Sequence, residues 1–363
     1  MSPAMMKAIR PTAPNAEDAA AAVKVETIPV PEPGAGEYQA SEAIFKIGCE
    51  DKIVMVQMKL RPVNPADLFS LMGIYPGCAP ADRWPITPGL DGMGVISKAG
   101  DSAKKLKIGQ RVALAGFPLQ DGNGTWAEFA VFKESDLAAI PDGISDEAAA
   151  GFWVNPVTAY GMLTELALPK GAHIIVNAAG SALARLFFDM AKHLGLKTIG
   201  LVRRDAQVQE VLAAGADACV STEKSGNDIA AALRAHTPRE EGAYAALECV
   251  GGESTAHLID ALRPGGTVVI YGAMASMTAH VPIVPVLFRG VSVRGFWLHT
   301  YVAGLSSAAE RERVVSEVLS LMERGVLRAD KHVGKSFRLE QTAEAVRESA
   351  TPARGGKVFI DSR

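Results

Sequence analysis

The chain is expected to be an α/β protein, with a doubly wound parallel sheet joined to an irregular, β-rich second domain. Three observations predict this. From about Gly171 onward, short apolar runs alternate with amphipathic stretches, the rhythm of strand and helix in a parallel sheet. Before about residue 160, short β-type runs are separated by proline and glycine, as in an irregular β domain. A length of 363 residues with 48% hydrophobic side chains is enough for two buried cores.

In the β-rich part the runs are "VETIPVPEPGAGE", "KIVMVQMKL", "DGMGVISKAG", "QRVALAGF" and "AEFAVF". The alternating part begins with "AHIIVNAAG", a continuous apolar run ending in small residues, as a buried parallel strand should. The next stretch places Leu183, Leu186, Phe187, Met190, Ala191 and Leu194 on one helical face. Strand "KTIGLVRR", helix "AQVQEVLAAGA", strand "DACVST" and helix "DIAAALRAHT" follow. Strand "AYAALECVGG", helix "STAHLIDALRPGG" and strand "TVVIYGAM" complete the alternation. Beyond them, "VSVRGFWL" reads as a strand, residues 306 to 324 as a long amphipathic helix, and "GGKVFIDSR" as a final strand rejoining the first domain. The expected division is 1–160 for the first domain, completed by 300–363, with 161–299 forming the parallel-sheet domain. The alanine run from Ala19 to Ala22 is expected in a surface loop or frayed turn.

Charge and composition exclude several classes. Lys plus Arg number 37 against 40 Asp plus Glu, a net charge of −3, without the basic excess of a nucleic-acid binder. No apolar run reaches membrane-spanning length, so no membrane partner is expected. The N-terminus lacks the charged-then-apolar order of a secretory signal, and Glu17 and Asp18 make it too acidic for a transit peptide. Cys49, Cys78, Cys219 and Cys249 are isolated and form no CxxC pair. They fit a reducing, cytoplasmic setting in which thiols pack as small hydrophobes. None of the seven histidines falls in a metal-like spacing; only His299, after "RGFWL", stands out.

The first strand–turn–helix holds Asn177-Ala178-Ala179-Gly180-Ser181-Ala182-Leu183-Ala184. A dinucleotide-binding turn uses three glycines, for the turn, for pyrophosphate approach and for helix packing. Here Gly180 remains, with Ala182 and Ala184 where small residues are needed. The second strand ends in Arg203-Arg204, where NAD binders carry an acid and NADP binders an arginine for the 2′-phosphate. Guanidinium groups grip phosphate through paired, charge-assisted bonds, so NADPH is the expected coenzyme.

Read together, "PGLDGMG", "GQRVALAGF", "NPVTAYGML" and "ALRPGGTVVIYGAM" resemble the medium-chain dehydrogenase/reductase superfamily from about residue 25 to 363. The resemblance implies a GroES-like catalytic domain beside a Rossmann domain. Zinc members carry Cys-x-x-Asp and Gly-His-Glu motifs; the matching stretches here read Asn64-Pro65-Ala66-Asp67 and Gly89-Leu90-Asp91. Thiolate and imidazole are both lost, and the four-cysteine zinc lobe has no counterpart, so no metal is expected. "GNGTWAEF", "VNPVTAYGML", "ECVGG", "YGAM" and "RGFWL" look like 2-enoyl thioester reductases of the trans-2-enoyl-CoA type. Quinone oxidoreductases share "NPADL" and "TAY" and are the alternative, with general activated-alkene reduction beside them. A binding module without turnover is a third possibility.

The resemblance makes Tyr75 the catalytic donor, a phenol able to share its proton with a developing oxyanion. It implies coenzyme contacts from Asn155, Thr158, Gly180, Ser181, Ala182, Leu183, Arg203 and Arg204. It implies further contacts from Tyr271, Gly272, Ala273, Met274, Phe296, Trp297, Leu298, His299 and Lys357. Asn64, Trp126 and Trp297 are expected around a small-molecule substrate, an acyl thioester or other conjugated carbonyl. Asn64 and Asp67 are expected to shape the loop bearing Tyr75. By the same resemblance the chain is expected to form a homodimer, with "VSVRGFWL" extending a sheet across a two-fold axis.

Overall fold

In a computed structural model of the chain, the structure describes residues 4–32, 38–40, 43–45, 52–78, 80, 83–226, 228–352 and 355–363. Cys49 lies outside the described residues. The strands up to residue 139 are β1 (Met5–Ile9), β2 (Val25–Pro29), β3 (Tyr38–Ala40), β4 (Ala43–Phe45), β5 (Ile53–Pro62), β6 (Met93–Ala99), β7 (Arg111–Leu114), β8 (Phe129–Lys133) and β9 (Leu137–Ala139). Then come β10 (His173–Val176), β11 (Lys197–Val202), β12 (Ala218–Ser221), β13 (Ala243–Glu248), β14 (Leu262–Ile270), β15 (Ser292–Gly295), β16 (Val333–Phe337) and β17 (Lys357–Asp361). The chain divides into two compact units, Met1–Val157 with Glu312–Arg363, and Thr158–Arg311. The division thus falls at Val157 and Glu312, where the sequence suggests about 160 and 300; residues 300–311 go with the second unit.

The first unit is built on a seven-stranded sheet in the order β16-β17-β5-β6-β7-β9, with β8 also paired to β5. β5 is its spine: it pairs antiparallel with β6, β8 and β17, and most of its ten residues are buried. Val54, Val56 and Met58 pack there against Ile96, Val112, Leu114 and Phe132. A second core joins Ile9, Val63, Leu71 and Trp126 to Leu339, Val346, Val358 and Ile360 near the C-terminus. Ala19, Ala20 and Ala22 belong to this core, so the alanine run is not a surface loop. Asp18 caps the run by accepting the Ala20 N–H at 2.9 Å, and the small side chains let the backbone approach its neighbours closely.

The second unit carries a six-stranded, all-parallel sheet in the order β12-β11-β10-β13-β14-β15. Counted along the unit, that is 3-2-1-4-5-6, the doubly wound order expected from the sequence. Ile174, Ile175 and Val176 at its centre are fully buried. Helices cover the faces, beginning with Ala182–Leu194, which Ser181 caps at its start and Gly195, in the left-handed region, closes. Two segments differ from the sequence expectation. Leu262 to Gly266, expected to end a helix, already belong to β14, and a register shift between Ala243 and Ala245 of β13 accommodates them. "IVPVLFR", Ile283–Arg289, forms a short helix not anticipated, because Pro282 and Pro285 hide its periodicity.

Candidate functional site

In the first unit the candidate site starts at α1 (Pro65–Leu71), with Asn64 as its N-cap and Pro65 in the first turn, where a missing N–H costs nothing. One oxygen of the Asp67 carboxylate accepts the Asn64 N–H at 2.7 Å and the other the Leu90 N–H at 2.9 Å. One side chain thereby fastens the start of the helix to the 89–91 segment. Asp91 in turn accepts the N–H groups of Trp153 and Val154, each at 3.2 Å. The Lys357 ammonium, delivered by β17, donates to Asn64 Oδ1. All four polar residues are more than nine-tenths buried. Burial pushes the Asp67 carboxyl up to about 7, against the pull of its two N–H bonds and the nearby Lys357 charge. Burial raises Asp91 in the same way, and Lys357 is the largest opposing influence.

α1 also sets Tyr75. Past its end the chain turns through Gly73 at φ +75°, where a side chain would meet Pro14 at 2.7 Å. The N–H groups of Ile74 and Tyr75 both return to the Phe69 carbonyl, at 2.9 and 3.2 Å, and the Tyr75 carbonyl accepts the Cys78 N–H at 3.1 Å. The half-buried Tyr75 ring packs with Cys78 and Trp84 on an apolar cluster of Ile86, Leu90 and Leu119. Leu90, at the position of a metal-binding histidine, is therefore part of the surface that holds the phenol. Trp126, expected beside the substrate, is instead fully buried in the core with Ile9, Val63 and Leu71, and presents no face to a ligand. Lys357, expected to touch the coenzyme, is buried against Asn64.

In the second unit the turn after β10 places Ala178 at φ +45°, a conformation that favours glycine. The Ala179 N–H is tied to the Leu201 carbonyl at 3.2 Å. A side chain at Gly180 would meet only the Gln207 amide, at 3.6 Å, so the protein's own packing does not require glycine there. Ser181 accepts the Ala184 N–H at 3.2 Å and opens α4 (Ala182–Leu194 in chain order, after Asp146–Ala150 as α2 and Asn155–Leu166 as α3). At the end of β11, Arg203 and Arg204 are exposed, and neither has an acidic partner among the described residues. Their backbone is fixed: the Arg203 carbonyl accepts from Thr222 Oγ1 and the Glu223 N–H, and the Arg204 N–H donates to Gln207 Oε1.

Three neighbouring strand ends complete this face. Asn177 Oδ1 accepts the Cys249 N–H at 3.0 Å, and its Nδ2 donates to Ser254 Oγ at 3.0 Å. Tyr271 stands edge-on to Phe187, at 5.5 Å between ring centroids, and its buried hydroxyl has no hydrogen-bond partner among the described residues. Burial raises that phenol well above its ordinary range and pushes the Cys249 thiol up to about 12, so both stay protonated. Gly272 and Ala273 follow, and Met274 donates its N–H to the Cys249 carbonyl at 2.8 Å while its side chain is exposed. Phe296 and Leu298 are buried, whereas Trp297 stacks on His299 with 4.7 Å between centroids. Asn155 lies in the first unit and the buried Thr158 in the second, both on α3. Asn177, Gln207 and the role of Asp91 were missed in the sequence; a polar residue closing an apolar strand was the available signal for Asn177.

Two family models match: the alcohol dehydrogenase GroES-like domain over residues 50–142 and the zinc-binding dehydrogenase over residues 182–319. The mitochondrial enoyl-[acyl-carrier-protein] reductase of Caenorhabditis elegans is 34% identical over 298 residues, covering 81% of this chain and 82% of that protein. The chain belongs to the medium-chain dehydrogenase/reductase superfamily. Its human relative of the same description is 32% identical over 281 residues, covering 76% of this chain and 72% of that protein. Among solved structures, a Bacillus thuringiensis protein described as an NADPH:quinone reductase shares 27% identity at a TM-score of 0.84, covering 99% and 100% of the two chains. The Escherichia coli quinone oxidoreductase complexed with NADPH, 21% identical at a TM-score of 0.82 over 98% and 100%, shows the shared fold. As a member of this superfamily related to enoyl reductases, the chain is an oxidoreductase. The zinc of the family description does not suit its residues: Asn64 and Leu90 replace thiolate and imidazole, and an ammonium already lies on Asn64. Among the described residues, no three or more His, Cys, Asp or Glu are grouped to hold a metal ion. Among them, too, no helix is long and apolar enough to cross a membrane.

Proposed function

We propose that the chain reduces the C=C bond of 2-enoyl thioesters with NADPH and without zinc. The observation that carries this is Tyr75, fixed on its loop against an apolar surface that includes Leu90, in a chain 34% identical to an enoyl reductase. The second unit fits the coenzyme. Gly180 leaves open space in front of a helix start, which suits a pyrophosphate, and two exposed arginines, without acidic partners among the described residues, suit a 2′-phosphate. Ser181, Ala182 and Leu183 flank that turn, and Asn155, Thr158, Tyr271 to Met274 and Phe296 to His299 supply further contacts. The bound coenzyme supplies a hydride, which the β-carbon of the substrate receives.

Negative charge then gathers on the thioester carbonyl oxygen. The Tyr75 hydroxyl donates a hydrogen bond to that oxygen and is then the source of the proton the α-carbon gains, the phenol being reprotonated from solvent. Trp297 contacts the acyl chain. The quinone reading draws on the Bacillus thuringiensis structure and needs the same tyrosine and coenzyme. Steady-state rates with crotonyl-CoA and 1,4-benzoquinone, each with NADPH and NADH, decide between them. Turnover of crotonyl-CoA with NADPH is expected to dominate, and faster quinone turnover rejects the thioester assignment.

The chain works as a homodimer in this reading. β15 is an edge strand with all four residues exposed, and the short helix α9 (Ile283–Arg289, after α5 Val208–Ala213, α6 Thr222–Ser225, α7 Ile229–Arg234 and α8 Glu253–Asp260) exposes Ile283, Val284, Leu287 and Phe288. An open strand edge beside an exposed apolar face is the kind of surface a second copy covers.

A further inference from the structure

We propose that Asn177 is a positioning residue whose amide joins the two halves of the parallel sheet and sets the half that receives the nicotinamide end of the coenzyme. This rests on the coenzyme reading given above. The strand order β12-β11-β10-β13-β14-β15 reverses direction between β10 and β13. In such sheets a dinucleotide lies in the crevice beyond the strand ends at that point, one mononucleotide to each half. Arg203 and Arg204, at the end of β11, mark the β10-β11-β12 half for the adenosine 2′-phosphate. The nicotinamide end then falls to the β13-β14-β15 half.

Asn177 spans this division. Pairing of β10 with β13 ends at Val176 and Leu247, and the Asn177 N–H donates to the Leu247 carbonyl at 3.2 Å. Past that bond the side chain crosses instead: Oδ1 accepts the Cys249 N–H and Nδ2 donates to Ser254 Oγ, each at 3.0 Å. Buried Glu248 accepts the next two N–H groups, of Val250 and Gly251, on Oε1. Two buried side chains thus satisfy three consecutive N–H groups and fix the turn from within. The turn in turn carries the end of β14. The Cys249 carbonyl accepts the Met274 N–H at 2.8 Å, and the Val250 carbonyl those of Ala275 and Ser276 at 2.9 and 3.1 Å. Gly272 lies so close that a side chain there would meet Cys249 Cβ at 2.8 Å. Residues 271–276 are therefore seated on a turn that Asn177 holds. The adenosine half has its own tether, the Ala179 N–H on the Leu201 carbonyl at 3.2 Å, and does not use the amide.

The test is calorimetric titration of the native chain, Asn177→Ala and Ser254→Ala with NADPH and with adenosine 2′,5′-bisphosphate, which carries only the adenosine end. Asn177→Ala leaves the Cys249 N–H buried without an acceptor. Its NADPH dissociation constant should rise at least tenfold, while that of the bisphosphate stays within threefold of native. Ser254→Ala removes one arm of the bridge at a half-buried position and should raise the ratio of the two constants roughly threefold. That variant decides the matter where Asn177→Ala is not recovered folded. Equal weakening of both ligands, or a native ratio in Ser254→Ala, overturns the proposal, because a general fault in the fold does not single out the nicotinamide end. A native chain that binds neither ligand overturns the coenzyme reading together with this one. Binding of NADPH without turnover of crotonyl-CoA removes only the thioester assignment, and the ratio still judges Asn177.

Discussion

The buried carboxyls of Asp67 and Asp91 should make the first unit lose stability as pH rises. Asp67, ordinarily near ~3.9, is pushed to about 7 by burial. An upward shift means that the folded chain holds a proton the unfolded chain has released. The stabilisation is therefore complete below about pH 4 and is lost as pH climbs through 7. Asp91 is raised by the same burial and faces the same lysine, so the pair is counted as one extra proton. One proton gives a slope of about 1.4 kcal/mol per pH unit. For a unit of about 200 residues, this is roughly 3–5 °C in melting temperature per pH unit.

The assay is scanning calorimetry of the native chain and of Asp67→Asn/Asp91→Asn at pH 5, 6 and 7. The difference between their melting temperatures isolates the pair. Titration of His173, lowered chiefly by burial, is common to both proteins and cancels. Asp217, Asp361, Glu312 and Glu340, all lowered, act below this window. The native protein should lose roughly 6–10 °C relative to the variant between pH 5 and 7. A difference that stays constant across that range refutes the argument, because the folded chain would then hold no extra proton.

Tyr75→Phe should lower turnover of a 2-enoyl thioester at least tenfold while NADPH affinity barely moves, as measured by steady-state kinetics beside fluorescence titration. Arg203→Ala with Arg204→Ala removes two exposed phosphate contacts at about 1 kcal/mol each, so NADPH should bind roughly 30-fold more weakly. NADH should be affected less than threefold, and calorimetric titration with both coenzymes checks this. Phe288→Glu with Ile283→Lys places charges on the exposed face of α9 and should convert a dimer into a monomer by light scattering, with the far-ultraviolet spectrum retained.

The parallel sheet was legible because its strands are apolar on both faces. Ile174 to Val176 and Ala245 to Leu247 could be nothing but buried, and their spacing left room for one helix each. What escaped were features set by partners distant in sequence. The alanine run is polar-flanked and short, and only the C-terminal core around Leu339 and Val358 buries it. Trp126 follows Gly-Thr in a loop-like stretch, and nothing local shows that Val63 and Leu71 enclose it. "ALRPGG" reads as a helix end until pairing with β13 draws it into β14. At the site, Arg203-Arg204 and Gly180 were visible as motifs because each depends on its neighbours in sequence. Lys357 was visible as an expected coenzyme contact, but its bond to Asn64, 293 residues earlier, was not.

The discontinuity of the first unit bears on how the protein is made. β5 finds its partner β17 beyond the whole of the second unit, and buried Arg61 donates to Ser362, two residues after Ile360 of that strand. Thr158–Arg311, by contrast, is contiguous and emerges from the ribosome as a complete unit. Asn64 is thus synthesised 293 residues before Lys357 and waits until all of Thr158–Arg311 has been made. The first unit therefore cannot close until β17 has followed the whole of the second, and a chain interrupted before Lys357 leaves β5 without that partner.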